Sequence, residues 1–168
     1  MAKSDLRKIL DNVATLGMNI DSFVPLTISS IEFRADLAGL LVVAMAAAYE
    51  TCVKETLVGF ATRHHVKFGH YAENQYAKLN SRIRLSDLYT YCRTYDQGIH
   101  ERFGKIVKSR KRRFSELVGR DFSNDYNQIL NWRHDFAHER RRNTTVEEAL
   151  VTHRCAKLML YSFDDAFQ

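Results

Sequence analysis

The 168-residue chain contains a single proline, Pro25, and this near-absence of backbone punctuation constrains its fold more than any other feature. Short strands need turns every few residues, and tight turns draw heavily on glycine and proline. Seven glycines and one proline serve the whole chain, which favours long helices over sheets. A hydrophobic content of 45% is enough for one core at this length, so one domain over residues 1–168 is expected. The expected architecture is all-α, a compact bundle of six or seven helices joined by short connections.

Local signals place the helices. A first helix is expected over about residues 4–17, ending at Gly17 and followed by a loop through Asp21 and Pro25. Ser29 and Glu32 have the spacing of a capping box, in which both side chains satisfy free backbone N–H groups at a helix start. A long helix over about 30–63 opens there, and its middle, LAGLLVVAMAAAY, is apolar on every face. Such a segment is buried on all sides, which is hard to achieve inside one small chain and argues for a second copy. Further helices are expected near 70–80, 86–95 and 99–118. Ser123 is a candidate cap for a helix through DYNQILNWRHDFAH, and Thr145 with Glu148 forms a second capping box for a last helix to about Phe167.

Composition removes several classes of function. Cys52, Cys92 and Cys155 are odd in number, far apart and without C-x-x-C spacing, so neither a disulfide framework nor a cysteine zinc site is indicated. They read as buried small hydrophobes in a reducing compartment. The start, MAKSDLRKIL, lacks a signal-peptide core, and the apolar run from Leu37 to Tyr49 is shorter than the roughly 20 residues that span a bilayer. A cytoplasmic protein without membrane partners is expected. Net charge is +5, yet residues 101–142 alone carry twelve Lys/Arg against six Asp/Glu, net +6. That concentration points to a polyanion bound at a defined surface, with Lys105, Lys108, Arg110, Lys111, Arg112 and Arg113 as its candidate contacts. A solvated basic helix is the plainer alternative.

The segment Asn131-Trp132-Arg133-His134-Asp135-Phe136-Ala137-His138-Glu139-Arg140-Arg141-Arg142 carries the chemistry. At about 3.6 residues per turn, Ile129, Trp132, Arg133 and Phe136 fall on one stripe, so a guanidinium sits where a hydrophobe belongs. Burying it is costly without an anion or phosphate to accept its N–H bonds; an arginine snorkelling at the stripe's edge is the alternative. Five residues on, His138 lies about 140° around the helix. Either the helix ends or bends near Ala137, or two copies assemble the site together; the second is favoured, because the apolar helix also calls for a partner.

The string R-H-D-F-A-H resembles the R-x4-H signature of HEPN ribonucleases, with a polar residue after the arginine and a small one before the histidine. LLVVAMAAAYE, ending in Tyr49-Glu50, is similar to the early helix of the RiboL-PSP-type HEPN branch. Glycine often follows the histidine in that branch, where this chain has Glu139, which leaves the loop geometry after His138 open. The resemblance covers most of residues 30–165. It implies a HEPN-like bundle and an RNA-cleaving homodimer with paired motifs facing across a cleft. It also implies settings such as toxins or antiviral effectors, with an antitoxin or regulatory protein as a further partner.

RNA carries its own nucleophile, the 2′-OH, so such an enzyme needs a proton carrier near neutral pH and a cation for the phosphorane. His138 suits the first task and Arg133 the second; no metal or other cofactor is implied. His134 either orients substrate or is simply exposed, and Glu50 either holds Arg133 or forms an ordinary ion pair. Arg140 and Arg141 extend the basic surface beside the motif. Two rivals remain. His134 and His138 form an H-x-x-x-H pair close to the zinc-protease string, but Asp135 replaces its glutamate and a third ligand would have to be His153, from the next helix. A non-catalytic helical module that binds RNA or protein is the other.

Overall fold

The computed structural model describes residues 3–79 and 82–168. Seven α-helices account for nearly all of them: α1 (Lys3–Phe23), α2 (Ile31–His64), α3 (Val66–Gln75), α4 (Leu85–Tyr95), α5 (Gln97–Val118), α6 (Phe122–Glu139) and α7 (Val146–Ala166). No strand occurs among the described residues, in agreement with the sparse turn chemistry. The core runs along α2, whose Leu41, Val42, Met45, Tyr49, Val53 and Leu57 are fully buried. Helices α1, α3, α6 and α7 all pack on it.

Four neighbours resolve the problem of a helix apolar on every face: one chain covers most of it without a partner. By length and composition Ile28–His64 could also cross a membrane, but 56% of its most apolar window is buried inside the fold, as befits a core helix. What stays open is a narrow stripe through Phe33, Leu40 and Ala47, spaced at seven-residue intervals and therefore on one face.

Several boundaries differ from those expected. Helix α1 continues past Gly17 to Phe23, because this glycine serves a close approach and not a stop: a Cβ there would lie 2.5 Å from Leu150 Cδ2 of α7. The Ser29–Glu32 capping box does not form. Instead Ser30 closes a short 3-10 turn over Ile28–Ser30, donating to Pro25 O at 2.6 Å and accepting from the Thr27 N–H at 3.0 Å. Asp121, not Ser123, caps α6, its carboxylate accepting from Ser123 N at 2.9 Å; a charged acceptor at a helix start also meets the positive end of the helix dipole. Thr145 caps α7 through Glu148 N at 3.1 Å, whereas the Glu148 side chain accepts from Thr144. Helix α3 is displaced towards the N-terminus, and Asn80, the end expected for it, lies outside the described residues. All three cysteines are free and buried, and burial pushes the thiols of Cys52 and Cys92 up to about 12.

Two polar devices fix the bundle. Buried Arg34 donates to Val24 O and pairs with Asp21 and with Glu147, which ties the end of α1 and the start of α2 to the first turn of α7. At the centre, Tyr49 stacks on Tyr126 at 5.4 Å and on His153 at 5.7 Å, joining α2, α6 and α7. His153 Nε2 lies 3.2 Å from Leu10 O, and a carbonyl only accepts, so Nε2 carries the proton. Nδ1 then accepts from the Tyr49 hydroxyl at 2.8 Å, and both nitrogens of a neutral imidazole are satisfied.

Burial lowers the pKa of His153 to about 4. The unfolded chain binds that proton at about 6.5, so acid favours the unfolded state across this interval. Stability should fall as pH drops from about 6.5 towards 4, by on the order of 3 kcal/mol from this group. Urea melts between pH 7 and 4.5 should show a shallower loss for His153→Gln than for the parent protein; parallel curves would contradict the assignment.

Candidate functional site

Helix α6 carries the Arg133–His138 segment along α2. A close approach sets the spacing of these two helices: a Cβ on Gly39 would lie 2.1 Å from the Phe136 ring, so the ring seats on bare backbone. Ile129 and Trp132 are buried beside it and Arg133 is half-buried, as the apolar stripe requires. Helix α6 runs without a bend to Glu139 and ends there, two residues past Ala137 and one past His138. Arg133 and His138 diverge by about 140° and are separated by about 7.5 Å of rise. On one straight helix their Cα atoms therefore face different sides.

Arg133 opens into a cavity of about 100 Å³ lined by Ala46, Glu50, Arg84, Leu130, Arg133 and His134. Among the described residues neither Arg133, Arg84 nor Glu50 forms an ion pair, so the tie expected between Glu50 and Arg133 is absent even though both line the same wall. Two guanidinium groups and one carboxylate leave the cavity with an excess positive charge and with N–H donors to spare, a setting suited to phosphate oxygens. Arg84 precedes α4, 49 residues before Arg133, and no local sequence signal connects them. Its N–H donates to Asp87 Oδ2 at 2.9 Å, which anchors its backbone at the start of that helix.

His134 belongs to the cavity wall and also packs on His138, ring centroids 4.8 Å apart. The pair at i and i+4 therefore leads one turn from the cavity to the exposed end of α6. A zinc reading finds little here. No group of three His, Cys, Asp or Glu side chains converges among the described residues, and His153, the expected third ligand, has both ring nitrogens engaged in the core.

Past His138 the chain turns sharply. Arg140 adopts a left-handed conformation, φ 52, and the N–H groups of Arg140 and Arg141 return to Phe136 O and Asp135 O at 3.2 and 3.3 Å, a Schellman-type helix end. Glu139, the residue after the histidine, is still helical, and the left-handed turn falls at Arg140. Arg142 makes a two-pronged contact with Asp36 of α2, at 2.7 and 2.8 Å, and Asn143 donates to Asp135 at 2.7 Å. These bonds pin the loop over a groove of about 710 Å³ between α2 and α6, lined by Leu40, Val43, Phe136, Ala137 and Arg140 with the Asp36–Arg142 pair. Arg141 pairs with Glu139 at 2.7 Å.

The basic run on α5 splits into two sets. Arg110 points inward, bonded to Ser162 and Asp165, and Lys111 pairs with Asp121 at 2.6 Å; both have structural partners. Lys105, Lys108 and Arg112, spaced three and four apart, share the exposed face opposite buried Phe103 and Val107, with Arg113 to one side. Asp121 caps the start of α6, so Lys111 marks the end of that helix remote from His138, about 25 Å along its axis.

The chain is thus an all-helical bundle with an arginine-lined cavity and a histidine pair at the end of its penultimate helix. The sequence profile of the RiboL-PSP-HEPN family matches residues 4–168, and the chain belongs to that family. No curated protein and no solved structure matches it.

Proposed function

We propose that the chain is a metal-independent endoribonuclease that works as a homodimer. One observation carries this reading: two guanidinium groups without carboxylate partners, Arg133 and Arg84, line a cavity whose wall continues into the His134–His138 pair. Membership of a HEPN family supports an RNA-directed role. In the reaction the ribose 2′-oxygen attacks the adjacent phosphorus and the bond to the 5′-oxygen breaks. His138 serves as the acid or base, an imidazole being suited to move protons near neutral pH. Arg133 meets the phosphorane oxygens with its planar fork, Arg84 adds a second cation, and His134 orients the phosphate or shares the proton transfer. Glu50 limits the excess positive charge of the cavity.

The angle between Arg133 and His138 motivates the dimer. A second copy seated on the groove at Leu40, Val43 and Phe136 would bring each His138 towards the other protomer's cavity and would cover the remaining open stripe of α2. Such an enzyme suits a toxin or antiviral effector held in check by an antitoxin or regulatory protein in the cytoplasm. A module that binds RNA without cutting it is the second reading, favoured by the exposed Lys105–Lys108–Arg112 stripe on α5.

Purified protein should cleave single-stranded RNA in EDTA. His138→Ala should lose cleavage by at least two orders of magnitude, the usual scale for a general acid or base, while keeping its fold and RNA affinity. Arg133→Lys should fail as well, because an ammonium cannot make the two-pronged contact. Full activity in well-folded His138→Ala protein would remove the catalytic reading and leave the binding module.

The α5 stripe has its own test. Replacing Lys105, Lys108 and Arg112 together by alanine should weaken RNA binding and reduce the slope of log affinity against log salt by about two, at roughly 0.7 per phosphate contact on a single strand. An unchanged slope would place the phosphate track elsewhere.

A further inference from the structure

The side of the molecule built by α3 and α4 holds a feature that cleavage chemistry does not use. Phe68, Tyr71 and Gln75 form one stripe of α3 at i, i+3 and i+7, and with Tyr76, Thr94 and Tyr95 they line a groove of about 230 Å³. Its floor is an aromatic cluster: Tyr95 meets Phe68 at 5.6 Å and Tyr76 at 6.1 Å, and Tyr76 meets Tyr91 at 5.5 Å. Tyr95 is held in place from below, its hydroxyl donating to Leu57 O at 3.2 Å, and Tyr76 is buried beside it. Tyr71, by contrast, is 62% exposed. A large aromatic ring standing in water beside a rigid aromatic floor is poorly used by the fold itself.

The surroundings identify an occupant. Residues 63–96 carry six Lys/Arg (Arg63, Lys67, Lys78, Arg82, Arg84 and Arg93) against Glu73, Asp87 and Asp96, net +3, with three histidines besides; Arg63 is held by Phe167 O. Lys67 is exposed one turn before Tyr71, and Arg93 is exposed next to Thr94. Interleaved cations and open aromatic faces are the two elements of single-strand recognition, the first tracking phosphates and the second stacking bases of any sequence. The Gln75 side chain makes no hydrogen bond among the described residues, so its amide is available to a base edge. Position along the chain also fits: the groove lies about 15 Å along α4 from Arg84, which belongs to the Arg133 cavity. That span corresponds to about four stacked nucleotides.

We propose that the Phe68–Tyr71–Tyr95 groove is a base-stacking subsite for single-stranded RNA, holding an unpaired base about four nucleotides from the phosphate at Arg133. This deepens the ribonuclease reading and rests on it for the position of the scissile phosphate, while the groove's affinity for a base stands on its own residues. It also gives a reason for the substrate to be unpaired, since a duplex keeps its bases stacked on one another and out of reach.

The test uses the full chain carrying His138→Ala, so that binding is read without cleavage, and two probes: a twelve-nucleotide single strand containing 2-aminopurine and the same strand in a duplex. Adding Tyr71→Ala should weaken single-strand binding about five- to a hundredfold, the range for loss of one stacked base, and abolish the 2-aminopurine fluorescence change. Tyr71→Trp should restore both, and duplex affinity should stay the same throughout. Because Tyr71 is exposed, the alanine variant should retain its helical circular dichroism. Unchanged single-strand affinity and fluorescence in folded Tyr71→Ala protein would overturn the subsite and leave the groove to a protein partner. If wild-type chain binds the single strand through Tyr71 but never cuts it, the cleavage reading fails and the subsite stands; cleavage without any Tyr71 effect gives the reverse.

Discussion

The stack of Tyr49, Tyr126 and His153 is the contact on which the rest of the arrangement depends. Each ring comes from a different helix, α2, α6 and α7, and burial holds both phenols well above their ordinary pKa, so the two phenols of the stack stay uncharged. The imidazole joins the stack as a neutral group because Leu10 O and the Tyr49 hydroxyl satisfy its nitrogens in a single tautomer. Tyr126 completes the network by donating to Ile83 O at 2.6 Å, one residue before Arg84. Glu50 follows Tyr49 directly, and Arg133 lies two turns beyond Tyr126. One aromatic stack therefore positions three walls of the cavity at once: Glu50, Arg133 and Arg84.

That arrangement explains how a half-buried cation is tolerated. A guanidinium without an anionic partner is unfavourable away from water, and Arg133 is spared the full cost by its opening to solvent through the cavity. Arg34 shows the alternative. It is fully inside and is paired on two sides by Asp21 and Glu147, as a structural arginine should be. The contrast between these two residues separates a cation that the fold consumes from one that it presents. Within α5 the same contrast separates Arg110 and Lys111, both engaged by carboxylates, from Lys105, Lys108 and Arg112.

Much of this was legible in the sequence, and the rest was hidden for identifiable reasons. The all-helical class followed from turn chemistry, and the central place of α2 from its apolar faces. Boundaries went astray where a residue had a tertiary duty in place of its local one: Gly17 admits Leu150, Ser30 bonds back to Pro25, and Asp121 takes the capping role assigned to Ser123. Arg133 was a candidate because a guanidinium is unusual on an apolar stripe, His134 and Glu50 because of the family resemblance, and the fold brings all three to one cavity. His138 stands one turn away. Arg84 was missed because its proximity is created by the stack at Tyr126 and Ile83 and leaves no local pattern. The aromatic groove was missed for a similar reason, since Phe68, Tyr71 and Tyr95 are unremarkable until the fold brings the aromatic rings of α4 against those of α3.

The central claim is that the RNA itself supplies the nucleophile and that the Arg133 cavity stabilises the resulting phosphorane. The most direct test compares an RNA strand with the same strand bearing a single 2′-deoxy nucleotide at the mapped cleavage position, in EDTA, with product ends read by mass spectrometry. The account predicts a 2′,3′-cyclic phosphate and a 5′-OH from the unmodified strand and no cut at the deoxy position. Cleavage at the deoxy position, or a 5′-phosphate on the product, would show that water is the nucleophile and contradict it.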